Sequence, residues 1–223
     1  MKIRITGRDL FERSLFLHRM IAKKYGRSIR LDVVGVEERE PRSAVLELMY
    51  REIMRYEVEG SAAELGVYRG DFAKLINHFL PDRKLYLFDT FEGFDTRDTD
   101  FDVKAGLRPR TPTDFSQTSV ELVMSKMQHP ENCIIRKGWF PDTAEGVDDT
   151  FCFVSLDADL YKPILAGLEF FYPKLVHGGV IMIHDFNNSQ YGGAREAVRE
   201  FCESNSIGYV CLPDDCGSAV IVK

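Results

Sequence analysis

Two kinds of hydrophobic spacing divide the chain near residue 60. Before that point, apolar residues recur at helical spacing over residues 8–24 and 41–57, and Pro41 suits a first helical turn. After it, short apolar or β-branched runs alternate with helical stretches, and seven of these runs predict strands, at 62–67, 84–90, 133–138, 151–157, 178–185, 208–213 and 218–223. We therefore predict an N-terminal helical cover over residues 1–60 and a main domain over residues 61–223.

The alternation of strands and helices predicts an α/β fold, with a Rossmann-like, mostly parallel seven-stranded sheet covered by helices on both faces. The last two strands are joined only by PDDCG, residues 213–217, which is short enough for a hairpin. The final strand should therefore run antiparallel to its neighbour, so that the sheet ends in an antiparallel C-terminal hairpin.

Composition narrows the class of protein. The formal net charge of -6 argues against a nucleic-acid partner, since a phosphate backbone attracts basic surfaces. No apolar stretch approaches the ~20 residues of a membrane span, and the first residues lack the apolar region of a signal peptide, so we expect a cytoplasmic protein without a membrane partner. The five cysteines form no C-x-x-C pair, and buried free thiols are expected, although Cys211 and Cys216 flank a turn and could pair under oxidation.

A long polar segment interrupts the alternation of strands and helices. Residues 95–117 carry two prolines and many charges, and we interpret them as a long connection without regular structure. Connections of this length are either functional lids or mobile loops, and both alternatives stay open.

Glycines follow the first predicted strand, at the edge where open α/β sheets bind ligands. The strand runs into Glu64-Leu65-Gly66-Val67-Tyr68-Arg69-Gly70, where glycines let the backbone approach a ligand and the next helix offers amide donors. The segment is not a G-x-G-x-x-G motif, because Glu64 holds the first glycine position, which counts against a nicotinamide dehydrogenase. Tight packing of strand on helix is the alternative explanation for the glycines.

The second and third strands end in residues suited to a nucleoside. Asp89 follows the second strand, where an acid commonly accepts hydrogen bonds from ribose hydroxyls, although it could instead cap the turn that follows. The third strand ends in Lys137-Gly138-Trp139-Phe140, whose rings could form a flat wall for adenine or could pack in the core.

The fourth and fifth strands end in acids. Asp157 and Asp159 would project to the same face of a strand, and like charges that close repel each other unless a cation lies between them. The fifth strand ends in His184-Asp185 and should neighbour the fourth, which brings all four side chains to one edge. Carboxylate oxygens suit Mg²⁺ or Mn²⁺. Two alternatives remain: Asp159 could cap the helix that Pro163 announces, and His184 could be a packed or outer histidine.

Several segments together resemble one known family. ELGVYRGDFA, YLFDTFEGF, KGWFPDT, SLDADLY and the HDF segment are similar to the TylF-type (macrocin) O-methyltransferases, over roughly residues 42 to 203. The resemblance implies a class I methyltransferase fold and the transfer of a methyl group from S-adenosyl-L-methionine to a hydroxyl oxygen, with Mg²⁺ or Mn²⁺. It also implies a small-molecule acceptor, a sugar or a sugar-containing natural product, and association into a homo-oligomer is expected.

The resemblance also assigns roles to individual positions. Asp89 would hold the ribose and Asp159 would be the general base. The metal ligands implied by the resemblance would be Asp157 and Asp185, and His184, beside Asp185 in the sequence, is a third candidate ligand. The remaining cofactor-binding residues would be Glu64, Gly66, Tyr68 and Gly70 for the methionine portion and Gly138 and Trp139 near the adenine.

The chain departs from the family pattern at two places. His184 stands where that pattern often has an acid, and imidazole suits Mn²⁺, Fe²⁺ or Zn²⁺ better than Mg²⁺. The basic residue that the pattern often has near Ser155 is missing. Two other functions stay open: a glycosyltransferase that holds its metal with D-x-D, and a non-catalytic protein that binds S-adenosylmethionine.

Overall fold

The computed structural model describes residues 41–108 and 115–223. The helix predicted over residues 8–24 lies outside the described residues, as do positions 109–114 of the predicted polar connection. The helix predicted over residues 41–57 is present and runs from Pro41 to Arg55.

The seven predicted strands form one sheet in the order β3-β2-β1-β4-β5-β7-β6. Parallel pairing joins the first five of these, while β7 pairs antiparallel with both β5 and β6, so the predicted fold class and C-terminal hairpin are confirmed. The strands are β1 (Ser61–Leu65), β2 (Leu85–Asp89), β3 (Cys133–Lys137), β4 (Phe151–Leu156), β5 (Leu175–Ile183), β6 (Val210–Leu212) and β7 (Ser218–Val222).

Helices cover both faces of the sheet. Side chains of β5 alternate between the two layers: Ile181 and Ile183 pack with α5 and α6, whereas Val180 and Met182 pack with α1, α2 and α4. The helices are α1 (Pro41–Arg55), α2 (Ala73–Phe79), α3 (Thr96–Lys104), α4 (Val120–Met124), α5 (Tyr161–Lys174) and α6 (Gly193–Asn205), with short 3-10 turns at Pro130–Asn132 and Asp142–Ala144.

The prediction that residues 95–117 lack regular structure is wrong for their first half, which forms α3. Asp95 caps this helix by accepting a hydrogen bond from the Arg97 amide at 2.9 Å. Asp98 and Asp102 lie four residues apart on one face, and both are buried because they bond to groups on other elements. Their charge made the segment look like a solvated loop in the sequence.

Two smaller findings concern membranes and thiols. Within residues 41–108 and 115–223, every helix is too short or too polar to cross a bilayer. All five cysteines are free thiols, but only Cys152 and Cys202 are buried, and Cys211 is exposed, so the expectation of burial holds for two of the five.

Candidate functional site

A cavity of about 340 Å³ opens at the carboxyl ends of β1, β2, β4 and β5, where an open α/β sheet is expected to bind ligands. Its wall contains nine of the eleven predicted site residues: Gly66, Tyr68, Asp89, Gly138, Trp139, Asp157, Asp159, His184 and Asp185. Glu64 and Gly70 do not line it.

Asp157, His184 and Asp185 form a tight cluster in this wall. One donor atom from each lies within 4.8 Å of the other two, as in a metal-binding triad. His184 Nδ1 is 3.0 Å from Asp157 Oδ1 and 3.0 Å from Asp185 Oδ2, so the imidazole bridges the two carboxylates. β4 and β5 are parallel neighbours, which explains how residues 27 positions apart meet.

The outward-facing atoms of this cluster are also bonded. Arg42 Nη1 donates to Asp157 Oδ2 at 2.8 Å, and Asn188 Nδ2 donates to Asp185 Oδ1 at 2.7 Å. His184 Nε2 lies 3.1 Å from the carbonyl oxygen of Asp215, so Nε2–H donates and Nδ1 faces the carboxylates. Metal-binding side chains are commonly oriented in this way by outer partners, and the donor set therefore fits a divalent cation.

The bonds within the cluster set its charges. Burial alone raises the pKa of Asp157, but Arg42 and His184 outweigh burial and hold that pKa well below its usual range. Burial alone lowers the pKa of His184, yet its bonds to the two carboxylates raise the pKa to about 10. In the absence of a cation, the imidazolium therefore supplies the positive charge between the acids.

Asp159 has the opposite electrostatic environment. Burial and the nearby charges of Asp185 and Asp157 raise its pKa well above the usual range, and it shares a hydrogen bond with Asp185. Its backbone φ of 58°, like that of Asp185, lies in the left-handed region that Asp tolerates better than most residues. The carboxyl group is therefore suited to taking up a proton from a ligand in the cavity.

The position of the two acids corrects the strand argument and one alternative. β4 ends at Leu156, so Asp157 and Asp159 reach the cavity through the loop after the strand and not by strand alternation. Asp159 does not cap the next helix. The Tyr161 amide at the start of α5 instead donates to Asp102, with Oδ2 at 3.2 Å.

The glycine loop after β1 is shaped both by packing and by Asp89. A Cβ on Gly66 would lie 2.1 Å from the Asp157 carbonyl oxygen, so the close approach of β1 and β4 itself requires glycine there. Asp89 Oδ2 accepts hydrogen bonds from the Val67 and Tyr68 amides at 2.7 and 2.8 Å. Its Oδ1 accepts from the Phe91 amide at 2.6 Å, so Asp89 does cap the following turn while it also faces the cavity.

Glu64 and Gly70 lie away from the cavity. Glu64 is buried behind β1, where its Oε1 accepts a 3.4 Å hydrogen bond from Ser155, its register partner on β4. Burial raises its pKa well above the usual range, and nearby Arg42 only partly offsets that effect. Gly70 has φ +75°, and a Cβ there would press against Val123 of α4.

At the other end of the cavity, Trp139 joins the loop after β3 to α3. Its indole Nε1 donates to Asp98 Oδ2 at 2.8 Å, and the Arg97 guanidinium lies 3.9 Å from the ring centre. Gly138, with φ +137°, donates its amide to the Asp89 carbonyl at 2.9 Å. The tryptophan is thus held against the cavity by two side chains of α3.

Three residues of the site were missed in the sequence. Arg42 of α1 donates to Ser155 Oγ at 3.1 Å as well as to Asp157, so it supplies the basic group near Ser155 that the sequence appeared to lack. Asn188 follows the His184-Asp185 motif directly and proximity could have indicated it. Asp98 had no signal, because acids in a polar segment predict solvent exposure.

Comparison with known proteins defines the class first and the family second. The structure resembles the O-methyltransferase NovP, with a TM-score of 0.67 at 20% identity over 82% of this chain and 79% of that one. It also resembles the calicheamicin methyltransferase CalS11, with a TM-score of 0.66 at 18% identity over 99% and 94%. At these identities the likeness shows the fold alone, which is that of Rossmann-like methyltransferases.

The sequence identifies the family. Residues 38–211 match the family described as Macrocin-O-methyltransferase (TylF), and the chain belongs to this family, as the sequence motifs predicted.

Curated relatives cover only part of the chain. Demethyldecarbamoylnovobiocin O-methyltransferase of Streptomyces niveus is 29% identical over 58% of this chain and 53% of the relative. Mycinamicin III 3''-O-methyltransferase of Micromonospora griseorubida is 27% identical over 69% of this chain and 65% of the relative. The chain thus spans between about half and two thirds of the length of these relatives.

Proposed function

We propose that this protein is an S-adenosylmethionine-dependent O-methyltransferase that uses a divalent cation and methylates a hydroxyl of a sugar or sugar-containing natural product. Family membership supports the methyl donor and the reaction class. The names of the curated relatives, which refer to novobiocin, mycinamicin and a rhamnosyl tetracenomycin, support the acceptor class. Assembly with further copies of the chain stays a prediction.

The observation that carries the proposal is the meeting of two kinds of group in one cavity. The cluster of Asp157, His184 and Asp185 offers three metal-binding atoms, and Asp159 beside it has the raised pKa of a proton acceptor. A protein that only stores or senses the cofactor needs neither group. A D-x-D glycosyltransferase would use the same acids, but neither the family nor the fold supports that alternative.

The chain's own residues would divide the work as follows. Asp157, His184 and Asp185 would hold the cation, and Asp159 would accept the proton of the acceptor hydroxyl. The bound cation would lower the pKa of that hydroxyl, and the cofactor would carry its methyl group on a sulfonium. Asp89 would hold the ribose, and the loop from Gly66 to Tyr68 would hold the methionine portion by backbone contacts.

Positioning is the main task of the rest of the site. Arg42 and Asn188 fix the outer oxygens of the two acidic ligands, so each carboxylate keeps one oxygen for the cation. Methyl transfer requires the oxygen, the methyl carbon and the sulfur to lie in line, which a rigid wall favours. Asp159 lines the same cavity, where it would face a hydroxyl bound beside the cation.

The experiment is a methyl-transfer assay on glycosides with free sugar hydroxyls, read by mass spectrometry as a gain of one methyl group per acceptor. EDTA should abolish the product, and Mg²⁺ or Mn²⁺ should restore it. Full activity in EDTA would contradict the role of the cation. Tight binding of S-adenosylhomocysteine without any transfer in the presence of metal would favour the non-catalytic alternative, and binding of nucleotide sugars would favour the glycosyltransferase.

A further inference from the structure

The turn between β6 and β7, residues 214–217, contacts the candidate metal ligand His184. The carbonyl oxygen of Asp215 lies 3.1 Å from His184 Nε2, whereas Nδ1 faces two carboxylates. A carbonyl oxygen only accepts hydrogen bonds, so Nε2 keeps its hydrogen whether or not Nδ1 carries one. Nδ1 is therefore the ring nitrogen that is left to bind a cation beside Asp157 and Asp185.

One side chain, that of Asp214, closes this turn. Its Oδ1 accepts a hydrogen bond from the Ser218 amide and its Oδ2 accepts one from the Ser218 hydroxyl, both at 2.6 Å. The Gly217 amide donates to the Asp214 carbonyl at 3.1 Å, as in a four-residue β-turn. Ser218 is fully buried as the first residue of β7, so Asp214 ties the turn to a fixed point of the sheet.

Two backbone hydrogen bonds join the turn to the segment that follows β5. The Asn187 amide donates to the Cys216 carbonyl at 2.9 Å. The Phe186 amide donates to the Gly217 carbonyl at 2.8 Å. The side chain of Asp215 is exposed, so the backbone of the turn, and not this side chain, faces the imidazole. The turn is therefore held both to its own strand and to the strand that carries two of the candidate ligands.

The orientation of the imidazole decides whether a nitrogen faces the cation. A half-turn of the ring about its last side-chain bond would place carbon atoms where Nδ1 and Nε2 now lie, and both orientations are common for histidine. Only the observed orientation lets Nε2–H donate to the Asp215 carbonyl while Nδ1 lies 3.0 Å from Asp157 Oδ1 and from Asp185 Oδ2. A nitrogen donor favours Mn²⁺ over Mg²⁺, so the contact that fixes Nδ1 also bears on the choice of metal.

We propose that Asp214 is a positioning residue for His184: by closing the turn it holds the Asp215 carbonyl against Nε2, and it thereby makes the cluster prefer Mn²⁺ to Mg²⁺. The inference rests on the proposed function, since it takes the cluster to hold a divalent cation. Asp214 does not line the cavity, so it acts only through the turn.

Asp214→Ala tests the assignment by opening the turn. Titration of the full chain with each metal should show the affinity for Mn²⁺ lowered ~10-fold, as is typical when an outer partner of a metal ligand is lost. The affinity for Mg²⁺, which depends on carboxylate oxygens, should change by less than about threefold. Electron spin-echo spectra of the Mn²⁺-loaded wild type should show a directly bound imidazole nitrogen, and this signal should weaken in Asp214→Ala. His184→Gln should lack the signal, which assigns the nitrogen to His184.

Two variants separate closure of the turn from loss of an acidic charge. Asp214→Asn keeps an oxygen for the Ser218 amide and offers an amino group to the Ser218 hydroxyl, so it should retain the wild-type Mn²⁺ affinity and nitrogen signal. Asp215→Ala removes an exposed acid of the same turn but leaves the backbone carbonyl in place, and it should bind both metals as wild type does.

The outcomes separate the inference from the proposed function. A folded Asp214→Ala variant that keeps the wild-type Mn²⁺ affinity and nitrogen signal would overturn the role of Asp214 and leave the methyltransferase proposal intact. Wild-type protein that binds Mn²⁺ without a nitrogen signal would also overturn the inference, because His184 would not be a ligand. Folded wild-type protein that binds neither metal would overturn both the inference and the cation of the proposed function.

Ser218→Ala decides the matter if Asp214→Ala does not fold. This variant removes only the hydroxyl bond to Asp214 and keeps the bond from the Ser218 amide. It should lower the Mn²⁺ affinity at least ~threefold and weaken the nitrogen signal. Unchanged values for both would overturn the assignment.

Discussion

At the β4–β5 end of the cavity every oxygen of Asp157 and Asp185 is hydrogen-bonded, whereas at the Trp139 end one oxygen of Asp98 accepts nothing from the described residues. The first end holds its acids with an imidazolium and a guanidinium. The second end holds its acid with a single indole hydrogen. The protein thus compensates the acids at the first end with two cations, whereas the acid at the second end has one neutral side-chain donor.

This difference separates two ways of using a buried acid. Where protein groups neutralise the charge, a substitution should change both stability and chemistry, because removing one partner leaves the other buried and unpaired. Where a buried acid has no cationic partner, removing its charge should cost less stability, because no counter-charge is left unpaired. The following variants test that separation, beginning with the largest expected effect.

Asp159→Asn should lower the rate of methyl transfer by ~10²–10⁴-fold, because an amide cannot take up the proton of the acceptor hydroxyl. Affinity for S-adenosylhomocysteine, measured by titration, should stay within about threefold of wild type, since Asp159 follows β4 and lies apart from Asp89, the proposed ribose-binding residue at the end of β2. Asp148→Asn, at a fully exposed acid, should leave both quantities unchanged. If Asp159→Asn kept the wild-type rate of methyl transfer, Asp159 would not be the general base.

Arg42→Met should destabilise the fold by about 3 kcal/mol, since Asp157 would keep its charge in a buried place with only His184 as its partner. The low pKa of Asp157 contributes stability above its unfolded pKa, and that contribution is lost as the pH falls. The penalty of Arg42→Met, measured by urea unfolding at several pH values, should therefore shrink in acid.

Lys74→Met is the control for Arg42→Met. Lys74 pairs with Asp71 at 3.2 Å, but both side chains are largely exposed, and such pairs contribute ~0–1 kcal/mol. If both variants lost the same small free energy of unfolding, the Arg42 guanidinium would not stabilise Asp157. The contrast between the two ends of the cavity would then fail.

Most of the fold could be predicted because its signals are local. Apolar runs of six to eight residues predict the strands, and a five-residue link predicts the hairpin and so the direction of β7. The edge of the sheet that binds ligands follows from the strand direction alone, and therefore most of the predicted site residues line the cavity.

What could not be predicted depends on pairs that are distant in the sequence. Arg42 and Asp157 are 115 positions apart, and Asp98 and Trp139 are 41 apart. A lone arginine on an amphipathic helix and an acid in a polar segment both predict exposure, and only the tertiary partner makes them buried site residues. The same limit concealed α3, whose buried acids bond to Trp139 and to the start of α5.

Asp102→Asn tests whether the second buried acid of α3 makes the stability of the fold depend on pH. Burial raises the pKa of Asp102 to about 6, with Asp98 adding to the rise while the Tyr161 amide, Arg108 and Lys162 oppose it. The folded state therefore holds this proton more tightly than the unfolded state, so the contribution to stability is full near pH 4 and is lost as the pH rises through about 6.

Chemical unfolding should show this loss as a difference between variants. Between pH 4 and pH 7, wild-type protein should lose about 1–3 kcal/mol relative to Asp102→Asn, which cannot ionise but can still accept the Tyr161 amide hydrogen. Asp100→Asn, at an exposed position of the same helix, should track wild type across this range. Parallel curves for wild type and Asp102→Asn would mean that Asp102 does not titrate with the fold.

His184→Asp should have the smallest effect, on the choice of metal. Replacing the imidazole with a carboxylate gives an all-oxygen donor set, which suits Mg²⁺, whereas the imidazole favours Mn²⁺ and later transition metals. The ratio of Mn²⁺ to Mg²⁺ affinity, measured by titration of the full chain and by the Mn²⁺ resonance signal, should fall about tenfold. The imidazolium also neutralises Asp157 and Asp185. The metal-free variant should therefore unfold at a lower urea concentration than wild type, and Mg²⁺ should restore its stability. A variant that kept both its stability without metal and its metal preference would show that His184 is neither the bridge between Asp157 and Asp185 nor a ligand.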